Sequence, residues 1–346
     1  MAILASDTLR RCTVCVATLL VALAGLKVTV AQAGKNAECA TVPPAVRDIK
    51  VEGYYSDKAK SQVDKAAEAR KRAAVKPLQT YLKTVVALAD NKSRDVPAEA
   101  STQCAIIWLR TWARAGAYLG DVSSKQATAQ RKWDLAGLAL AYLKVRQAAG
   151  PSDRAAIEPW LQSIADRVLV DFSAKGKIRN NHWYWTGLGL AAVGIATSSD
   201  RHWADARRIM NDAARDIRVD GLIELELQRG QRALHYHTFS AMPLVAMAEL
   251  SLAHGEDWYK LSNGALHRLV AATAAGLADP TLFDRATGVQ QERPVKPREG
   301  WLHLYLNRFP ERLPEAVVVG LPASKFAHRW LGGDVRRLDG PLKSIR

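Results

Sequence analysis

The 346-residue sequence contains little β-branched alternation, and no long uncharged apolar run follows its N-terminal segment. The scarcity of alternation argues against a fold built from β-sheets. The lack of a second apolar run long enough for a bilayer argues against a membrane-spanning protein. Hydrophobic residues make up 48% and charged residues 24%, which is typical of a globular protein and excludes a disordered or fibrous one.

The N-terminal segment 1–33 has the three parts of a secretory signal peptide. Arg10 and Arg11 supply positive charge, an apolar run covers residues 12–26, and the small residues at 31–33 offer a cleavage site. We therefore expect an exported protein with no stable membrane association after cleavage. An uncleaved membrane anchor is the alternative.

Cysteine usage agrees with export. Cys12 and Cys15 would be lost with the signal segment, so the mature chain keeps only Cys39 and Cys104. In an oxidising compartment two cysteines indicate one disulfide. Two free buried thiols are the alternative.

The chain is strongly basic, with a formal net charge of +15. Removal of the signal segment, which carries a net charge of +2, leaves +13. An exported protein of this charge is expected to bind a polyanion. We expect an acidic polysaccharide rather than nucleic acid because of the compartment. The charge could also serve an anionic membrane surface, or solubility alone.

The mature chain 34–346 reads as a single, almost entirely helical domain without a linker. Asp153 and Asp200 are predicted helix N-caps, and residues 34–60 and 278–300 are predicted to be irregular. Helices joined by short loops pack as antiparallel neighbours, which indicates an all-α bundle or α/α toroid. Apolar periodicity predicts helices at 61–90, 97–119, 128–148, 154–173, 181–197, 202–218, 230–254 and 259–277.

Two segments have the residues that β-elimination on a uronate sugar requires. The sequence NNHWYW at 180–185 contains Asn181 and His182, and a segment at 226–237 contains Arg229 and Tyr236. The reaction removes a proton from C5, builds negative charge on the neighbouring carboxylate and protonates the departing O4.

An amide and a guanidinium can stabilise the developing charge, a histidine can act as base, and a tyrosine can act as acid or, when ionised, as base. A nearby cation is expected to lower the pKa of Tyr236. Two turns of helix would place Arg229 and Tyr236 on one face, unless Gly230 makes the helix start later. A structural histidine and an ordinary helix-face pair are the alternatives.

The sequence resembles polysaccharide lyase family 5, the α/α-toroid alginate lyases that favour mannuronate. The family segment NNHSYW corresponds to NNHWYW at 180–185, and RRQRALAYHNYS corresponds to RGQRALHYHTFS at 229–240. Three further stretches are similar to the family: CAIIWLRTWARAGAYL at 104–119, RKWDLAGLALAYLKVR at 131–146 and RWLGGDV at 329–335.

The resemblance implies a periplasmic enzyme with an incomplete α/α toroid and neither metal nor cofactor. Asn181 and Arg229 would neutralise the substrate carboxylate, and His182 would act as base or position the sugar. Tyr236 would be the acid and also the base for syn elimination.

The resemblance further implies a tyrosine-bearing lid loop near 50–62, for which Tyr54 and Tyr55 are both candidates. It also implies a disulfide between Cys39 and Cys104. Other positions in the matching stretches are expected to contact the polysaccharide. They are Arg131, Lys132, Trp133, Trp183, Trp185, Arg232, His235, Phe239 and Arg329.

Several departures from the family lie beside the catalytic groups, namely Trp183, Gly230, His235, Thr238 and Phe239. They bear on substrate preference more than on reaction type. Mannuronate and glucuronate differ only at C2 and both allow syn elimination, whereas guluronate requires anti elimination. The expected order is therefore polymannuronate, then glucuronate polymers including hyaluronan, then polyguluronate.

Three other functions compete with this one. A glycoside hydrolase needs two carboxylates, for which Glu224 and Glu226 are the nearest candidates, although both are expected to be surface charges. A polysaccharide-binding or export protein would not need the hydroxyl of Tyr236. A metal site at His235 and His237 is disfavoured because the two side chains would lie on different sides of a helix. His202, His254 and His328 are expected at the surface or in loops.

Overall fold

The computed structural model describes residues 39–173, 179–292, 300–320 and 326–343, and all of them lie in one compact unit. The predicted signal segment 1–33 lies outside the described residues. Within them, no helix is both long and apolar enough to cross a bilayer.

Thirteen α-helices lie in the described parts of the chain. They are α1 Lys65–Ala89, α2 Ala98–Arg114, α3 Lys125–Val145, α4 Pro151–Ser173, α5 Asn181–Ala196, α6 Asp200–Asp216, α7 Glu224–Leu227, α8 Ala233–Ala253, α9 Leu261–Ala278, α10 Thr281–Thr287, α11 Gly300–Arg308, α12 Glu315–Gly320 and α13 Asp339–Lys343. Two short strands, β1 Ala327–His328 and β2 Gly333–Asp334, pair in antiparallel fashion.

All eight predicted helices are present, which confirms the interpretation of the apolar periodicity. The prediction that Asp153 and Asp200 are helix N-caps is wrong, because both residues lie inside their helices. Asp153 lies inside the first turn of α4, and Asp200 begins α6 after Ser199. The predicted irregular stretch 278–300 contains the short helix α10.

The helices form two layers that alternate along the chain. Helices α3, α5 and α8 are buried on almost every side, whereas α6 has one apolar and one charged face. A helix that is apolar all round belongs inside, and an amphipathic helix belongs at the surface. The inner helices α3, α5 and α8 contact one another in sequence and pack against the outer helices α4, α6 and α9, while α1 and α2 lie beside α3 and α11 lies beside α8.

A C-terminal segment, residues 326–338, contacts α1, α3 and α11. It approaches α3 so closely that a Cβ atom on Gly137 would lie 2.3 Å from the carbonyl oxygen of Arg329. Charges inside the protein fix its position. Lys144 donates to Asp90 at 2.6 Å, and the amide of Asp334 donates to Asp90 at 2.7 Å. The segment is therefore part of the core.

The described N-terminal residues are held by a disulfide between Cys39 and Cys104, with Cα atoms 5.4 Å apart. This confirms the predicted pairing. The indoles of Trp108 and Trp112, one helical turn apart on α2, donate to the carbonyl oxygens of Ala40 and Pro43. The irregular segment is thereby attached to an outer helix before it reaches the lid.

Candidate active site

The site begins at the N-terminus of α5. The side chain of Asn180 caps this helix by accepting a hydrogen bond from the amide of His182 at 3.0 Å. The cap places Asn181 and His182 in the first turn, where their side chains diverge. Asn181 lies against Glu226, and His182 lies against Lys132 of α3.

Glu226 is a central residue that the sequence-based prediction assigned wrongly to the surface. Its side chain has no exposed area. One carboxylate oxygen accepts from the backbone amide of Asn181 at 2.7 Å and from its side-chain amide at 2.9 Å. The other oxygen lies 3.4 Å from Nε of Arg229. Burial raises the pKa of Glu226, whereas Arg229 and the Asn181 amides oppose that rise. Glu226 thus connects the two groups predicted to hold the substrate carboxylate.

Arg229 and Tyr236 are close together, although a shared helix face is not the reason. Gly230 has φ +54, and α8 begins only at Ala233, so Arg229 precedes the helix. The turn brings the Arg229 guanidinium to 4.7 Å from the centre of the Tyr236 ring. A cation over an aromatic face is favourable, and here this contact also fixes the Arg229 guanidinium relative to the Tyr236 ring.

The tyrosine hydroxyls form one hydrogen-bonded cluster. Tyr236 donates to the hydroxyl of Tyr55 at 3.0 Å, and Tyr54 donates to the same oxygen at 3.1 Å. Arg232 donates to that oxygen at 2.8 Å. Of the two lid candidates, Tyr55 therefore makes the direct contact with Tyr236.

The pKa of Tyr236 is raised, contrary to expectation. Burial is the largest cause, followed by the charge and the hydrogen bond of Tyr55, whereas Arg229 acts in the opposite direction. Burial and Tyr55 thus outweigh the lowering by Arg229, and the protonated form of the Tyr236 hydroxyl is favoured.

The predicted lid loop, here residues 54–62, is attached to the turn before α8. Arg229 donates to the carbonyl oxygen of Ala59 at 3.2 Å, and Gln231 donates to that of Ser61 at 3.4 Å. Within the loop, Asp57 accepts from the amides of Ser61 at 2.9 Å and Gln62 at 2.7 Å. Burial acts against the charge of Asp57, but these bonds lower its pKa to about 2.

His182 is held between α3 and α4. Its Nδ1 lies 2.7 Å from Nζ of Lys132, and its ring stacks at 5.8 Å from Phe172 and 6.0 Å from Trp133. Burial lowers the pKa of His182, and the positive charges that Lys132, Arg229 and Lys60 carry when protonated lower it further. These effects favour the neutral form of the imidazole.

An aromatic cluster lies beside His182. The Trp133 and Trp330 rings stack at 4.8 Å, and Phe239 meets Trp133 edge-on at 5.7 Å. The guanidinium of Arg329 lies 4.8 Å from the Trp330 ring centre. Trp330 was not among the predicted site residues, because nothing in its local sequence shows that the chain returns to α3.

Four of the residues predicted to contact substrate make contacts within the protein, and their role toward substrate stays a prediction. Trp183 faces α6, where its indole donates to Asp212. Trp185 is fully buried and donates to the carbonyl oxygen of Phe239. Arg131 is tied to Asp171 and to a carbonyl oxygen outside the cleft. Lys132 has no exposed area and contacts His182 instead.

The remaining histidines have varied positions. His235 is half-buried, with its ring perpendicular to that of Tyr236 at 5.3 Å. His237 is buried, and its Nε2 accepts from the amide of Ile223 at 2.8 Å, so it is occupied. His202 is also buried, bonded to Ser199 and Asp166, which corrects its predicted surface position. In the described ranges, no three His, Cys, Asp or Glu side chains are grouped as metal ligands.

Comparison with known proteins places the chain in context. The alginate lyase family profile matches residues 48–283. A polysaccharide lyase from Stenotrophomonas maltophilia is 40% identical over 292 residues, covering 84% of this chain and 87% of that protein. An alginate lyase from Pseudomonas syringae pv. syringae is 30% identical over 322 residues, covering 88% and 84%.

Solved structures agree in fold. The crystal structure of alginate lyase A1-III from Sphingomonas species A1 superposes with a TM-score of 0.72 at 22% identity, over 86% of this chain and 85% of that one. A complex of the A1-III enzyme with a tetrasaccharide superposes with a TM-score of 0.74, also at 22% identity, over 86% of this chain and 84% of that one.

The two-layered helical fold and these matches define the protein as a polysaccharide lyase built on an α/α toroid. More specifically, the chain belongs to the alginate lyase family. The family resemblance and the predicted all-α toroid are thereby confirmed. The hydrolase and binding-protein alternatives are set aside.

Proposed function

We propose that this enzyme cleaves the 1,4 linkage of poly-β-D-mannuronate by β-elimination and leaves a 4-deoxy unsaturated uronate at the new end. The observation that carries the proposal is a series of contacts that brings an amide, a guanidinium and a phenol together. Glu226 binds both Asn181 and Arg229, and Arg229 lies over the ring of Tyr236. The imidazole of His182 follows Asn181 in the chain and is close enough to Arg229 for that charge to lower its pKa. Alginate lyases with 30% identity over most of both chains support the choice of polymer.

Each residue has a role that follows from its chemistry. Asn181 and Arg229 would bind the uronate carboxylate and stabilise the charge that develops on it. Tyr236 in its protonated form would donate its proton to O4 as the C4–O4 bond breaks. The C5 proton would pass to the Tyr236 phenolate, which would then give it to O4, or to neutral His182. The C5–H electron pair then forms the C4–C5 double bond.

The other cleft residues would bind and enclose the chain. Tyr55 and Arg232 would enclose the substrate from the side of the lid. The Tyr55 hydroxyl accepts from the Tyr236 hydroxyl, and Arg232 donates to the same Tyr55 oxygen. Trp133 and Phe239 offer ring surfaces beside His182. Arg329 supplies positive charge on the far side of Trp330. These groups suit a polymer with one carboxylate on each sugar.

The test is a spectroscopic assay with four polymers: polymannuronate, polyglucuronate, hyaluronan and polyguluronate. The new double bond absorbs in the ultraviolet, and we expect the fastest rise with polymannuronate. Tyr236→Phe should lower the turnover number by roughly 10²- to 10⁴-fold while binding persists, because it removes only the proton donor. No rise with any polymer across a broad pH range would contradict the proposal.

Glucuronate polymers are the second candidate. The relative with 40% identity carries the broader name polysaccharide lyase, without alginate. His235 and Phe239, which depart from the family pattern, lie beside Tyr236 and Trp133. Mannuronate and glucuronate share the syn arrangement of the C5 hydrogen and O4, so one set of catalytic groups serves both. A higher kcat/KM on polyglucuronate than on polymannuronate would favour this candidate.

We also propose that the enzyme acts in the periplasm. The features of segment 1–33 and the Cys39–Cys104 disulfide support export, since disulfides persist in oxidising compartments. Fractionation of cells expressing the full chain should place a product that begins after residue 33 in the periplasm. A product that retains segment 1–33 in the membrane fraction would contradict it.

A further inference from the structure

A stripe of cations runs along the exposed face of α1. Its members are Lys65, Arg72, Lys76 and Lys83, and all of them are exposed. Seven residues are close to two helical turns and four residues are close to one, so these side chains leave the helix on the same side. The stripe is about 27 Å long, because a helix rises 1.5 Å per residue.

The charge of this stripe is largely unneutralised by the protein. Arg72 contacts Glu68 at 3.3 Å, but the two side chains are 67% and 34% exposed. No acidic side chain in the described ranges forms an ion pair with the three lysines of the stripe. An uncompensated row of cations attracts a polyanion. On α6, by contrast, every arginine is paired with an acid, namely Arg201, Arg207, Arg208 and Arg215.

The surface beside the cations is made of small side chains. Ala69, Ala73 and Thr80 lie next to the stripe, and all three are exposed. The large apolar residues of α1, such as Leu78 and Leu82, are buried in the core. A helix that binds a membrane presents large apolar side chains beside its charged face, and α1, which is described throughout, exposes none. An extended hydrophilic polyanion therefore fits this face better than a lipid surface does.

The stripe begins where the predicted lid loop ends. Lys65 directly follows Asp64, whose amide donates to the carbonyl oxygen of Tyr54 at 2.9 Å. Lys71, which precedes Arg72 in the chain, has its Nζ 4.5 Å from the centre of the Tyr54 ring. Tyr54 belongs to the tyrosine cluster of the candidate active site. A polymer that extends past this side of the cleft therefore meets the basic face of α1.

We propose that the face of α1 that carries Lys65, Arg72, Lys76 and Lys83 is a second binding surface for the acidic polysaccharide and holds sugars that lie outside the cleft. This inference rests on the proposed function. Each sugar of a polyuronate has one carboxylate, so a chain laid along α1 offers negative charge to every cation of the stripe. Such exposed contacts are individually weak, and together they raise the local concentration of polymer at the cleft. The surface therefore matters for long chains and not for short ones.

The kinetic test replaces all four cations with glutamine, which has a similar helix propensity. We expect KM for long polymannuronate to rise by ~10-fold, because four weak contacts are lost, while kcat stays as in the wild type. KM for a mannuronate tetrasaccharide should not change, because so short a chain is bound within the cleft. Added salt should raise the wild-type KM more than that of the variant. If the fourfold variant does not fold, Lys76→Gln combined with Lys83→Gln should still raise KM by about threefold.

The matched control removes the same charge from other parts of the surface. It combines Arg94→Gln, Arg114→Gln, Arg167→Gln and Arg285→Gln, four exposed arginines outside α1. We expect its KM for polymannuronate to stay close to the wild-type value. An equal rise in this control would show that net charge rather than the face of α1 attracts the polymer, and the inference would be overturned. An unchanged KM in the folded stripe variant would overturn it as well.

A binding measurement separates this inference from the proposed function. Affinity electrophoresis through gels that contain polymannuronate compares Tyr236→Phe, which should leave the polymer uncut, with and without the four stripe substitutions. If the substitutions abolish retardation but the wild type cleaves no polymer, the surface stands and only the proposed reaction fails. Equal retardation overturns the inference even where the wild type cleaves polymannuronate. Loss of binding to phosphatidylglycerol vesicles with unchanged retardation would assign the face to a membrane instead.

Discussion

Glu226 is a carboxylate inside a cleft that must receive another carboxylate. Its repulsion of the substrate carboxylate is reduced, because its two oxygens already accept from Asn181 and Arg229. Its effect is to fix the orientation of these two donors relative to each other. Pre-oriented donors stabilise developing charge better than mobile ones.

Glu226→Gln should therefore slow the chemistry without removing a group that contacts substrate. We expect a roughly 10- to 100-fold loss of kcat, since small displacements of catalytic groups have effects of this size. Because Glu226 must be ionised to hold both donors, the wild-type activity should also fall as pH drops through its raised pKa, and the variant should lose that limb. Glu224→Gln changes an adjacent glutamate whose side chain is 63% exposed, and should leave the pH profile as it is.

The hydroxyl of Tyr55 controls the titration of Tyr236. After burial, Tyr55 is the largest cause of the raised pKa of Tyr236. Tyr55→Phe should lower that pKa, so the alkaline limb of kcat/KM should move to lower pH. Tyr54→Phe should shift it less, because Tyr54 does not bond to Tyr236 directly. An alkaline limb that stays in place in Tyr55→Phe would show that Tyr236 is not the group that titrates.

For single residues, the sequence predicts which side chains have suitable functional groups better than it predicts how deeply each side chain is buried. Asn181, His182, Arg229 and Tyr236 could be selected because their functional groups match the steps of β-elimination. Glu226 could not, since spacing does not reveal that a charged side chain will be buried. The sign of the Tyr236 pKa shift was wrong for the same reason, because burial outweighs a neighbouring cation and is invisible before folding.

Among the elements, the predicted lid loop has an internal turn that one side chain and two backbone bonds, Ser56 to Gln62 and Asp64 to Tyr54, hold together. Asp57 accepts from the amides of Ser61 and Gln62 and from the Ser61 hydroxyl, so it closes the turn that carries Tyr55 to the cleft. An aspartate that bonds backbone amides in this way fixes a turn that its sequence alone would leave mobile.

Asp57→Ala should therefore loosen the lid while the helices stay folded. We expect KM to rise several-fold and proteases to cut within residues 54–62 faster than in the wild type, because open loops are cleaved preferentially. Ser56→Ala, which removes one long hydrogen bond in the same loop, is the control. Equal cleavage rates for Asp57→Ala and the wild type would show that the docking contacts of Arg229 and Gln231 hold the lid without this turn.

Helices were the elements most readily predicted. Outer helices such as α6 show apolar periodicity, and inner helices such as α5 show long apolar runs with few breakers. Caps were less predictable, because Asp153 instead accepts from Arg110 of α2 at 2.6 Å. That partner lies 43 residues away and cannot be inferred from local sequence.

On the scale of the whole molecule, the disulfide links the beginning of the described chain to α2. Its two cysteines are 65 residues apart, so it shortens a long loop in the unfolded chain. In the chain-entropy treatment a loop of this length corresponds to about 4 kcal/mol of stability.

Cys39→Ser combined with Cys104→Ser should lower the free energy of unfolding by an amount up to that value. Urea denaturation of the oxidised wild type and the double variant measures it. Activity at low temperature should persist, since the bond lies on an outer helix. Wild-type protein reduced with dithiothreitol serves as the control and should match the double variant. An unchanged midpoint would indicate that the packing of Trp108 and Trp112 already fixes this segment.

The position of Trp330 also determines when the enzyme can first work. Its ring stacks on Trp133, nearly two hundred residues earlier in the sequence, and Asp334 joins the charges around Asp90 and Lys144. A ribosome that has passed His182 and Tyr236 has made every proposed catalytic group, yet the wall beside them is still missing. We therefore expect a chain that ends before residue 330 to lack this wall of the site, even though it contains every proposed catalytic group.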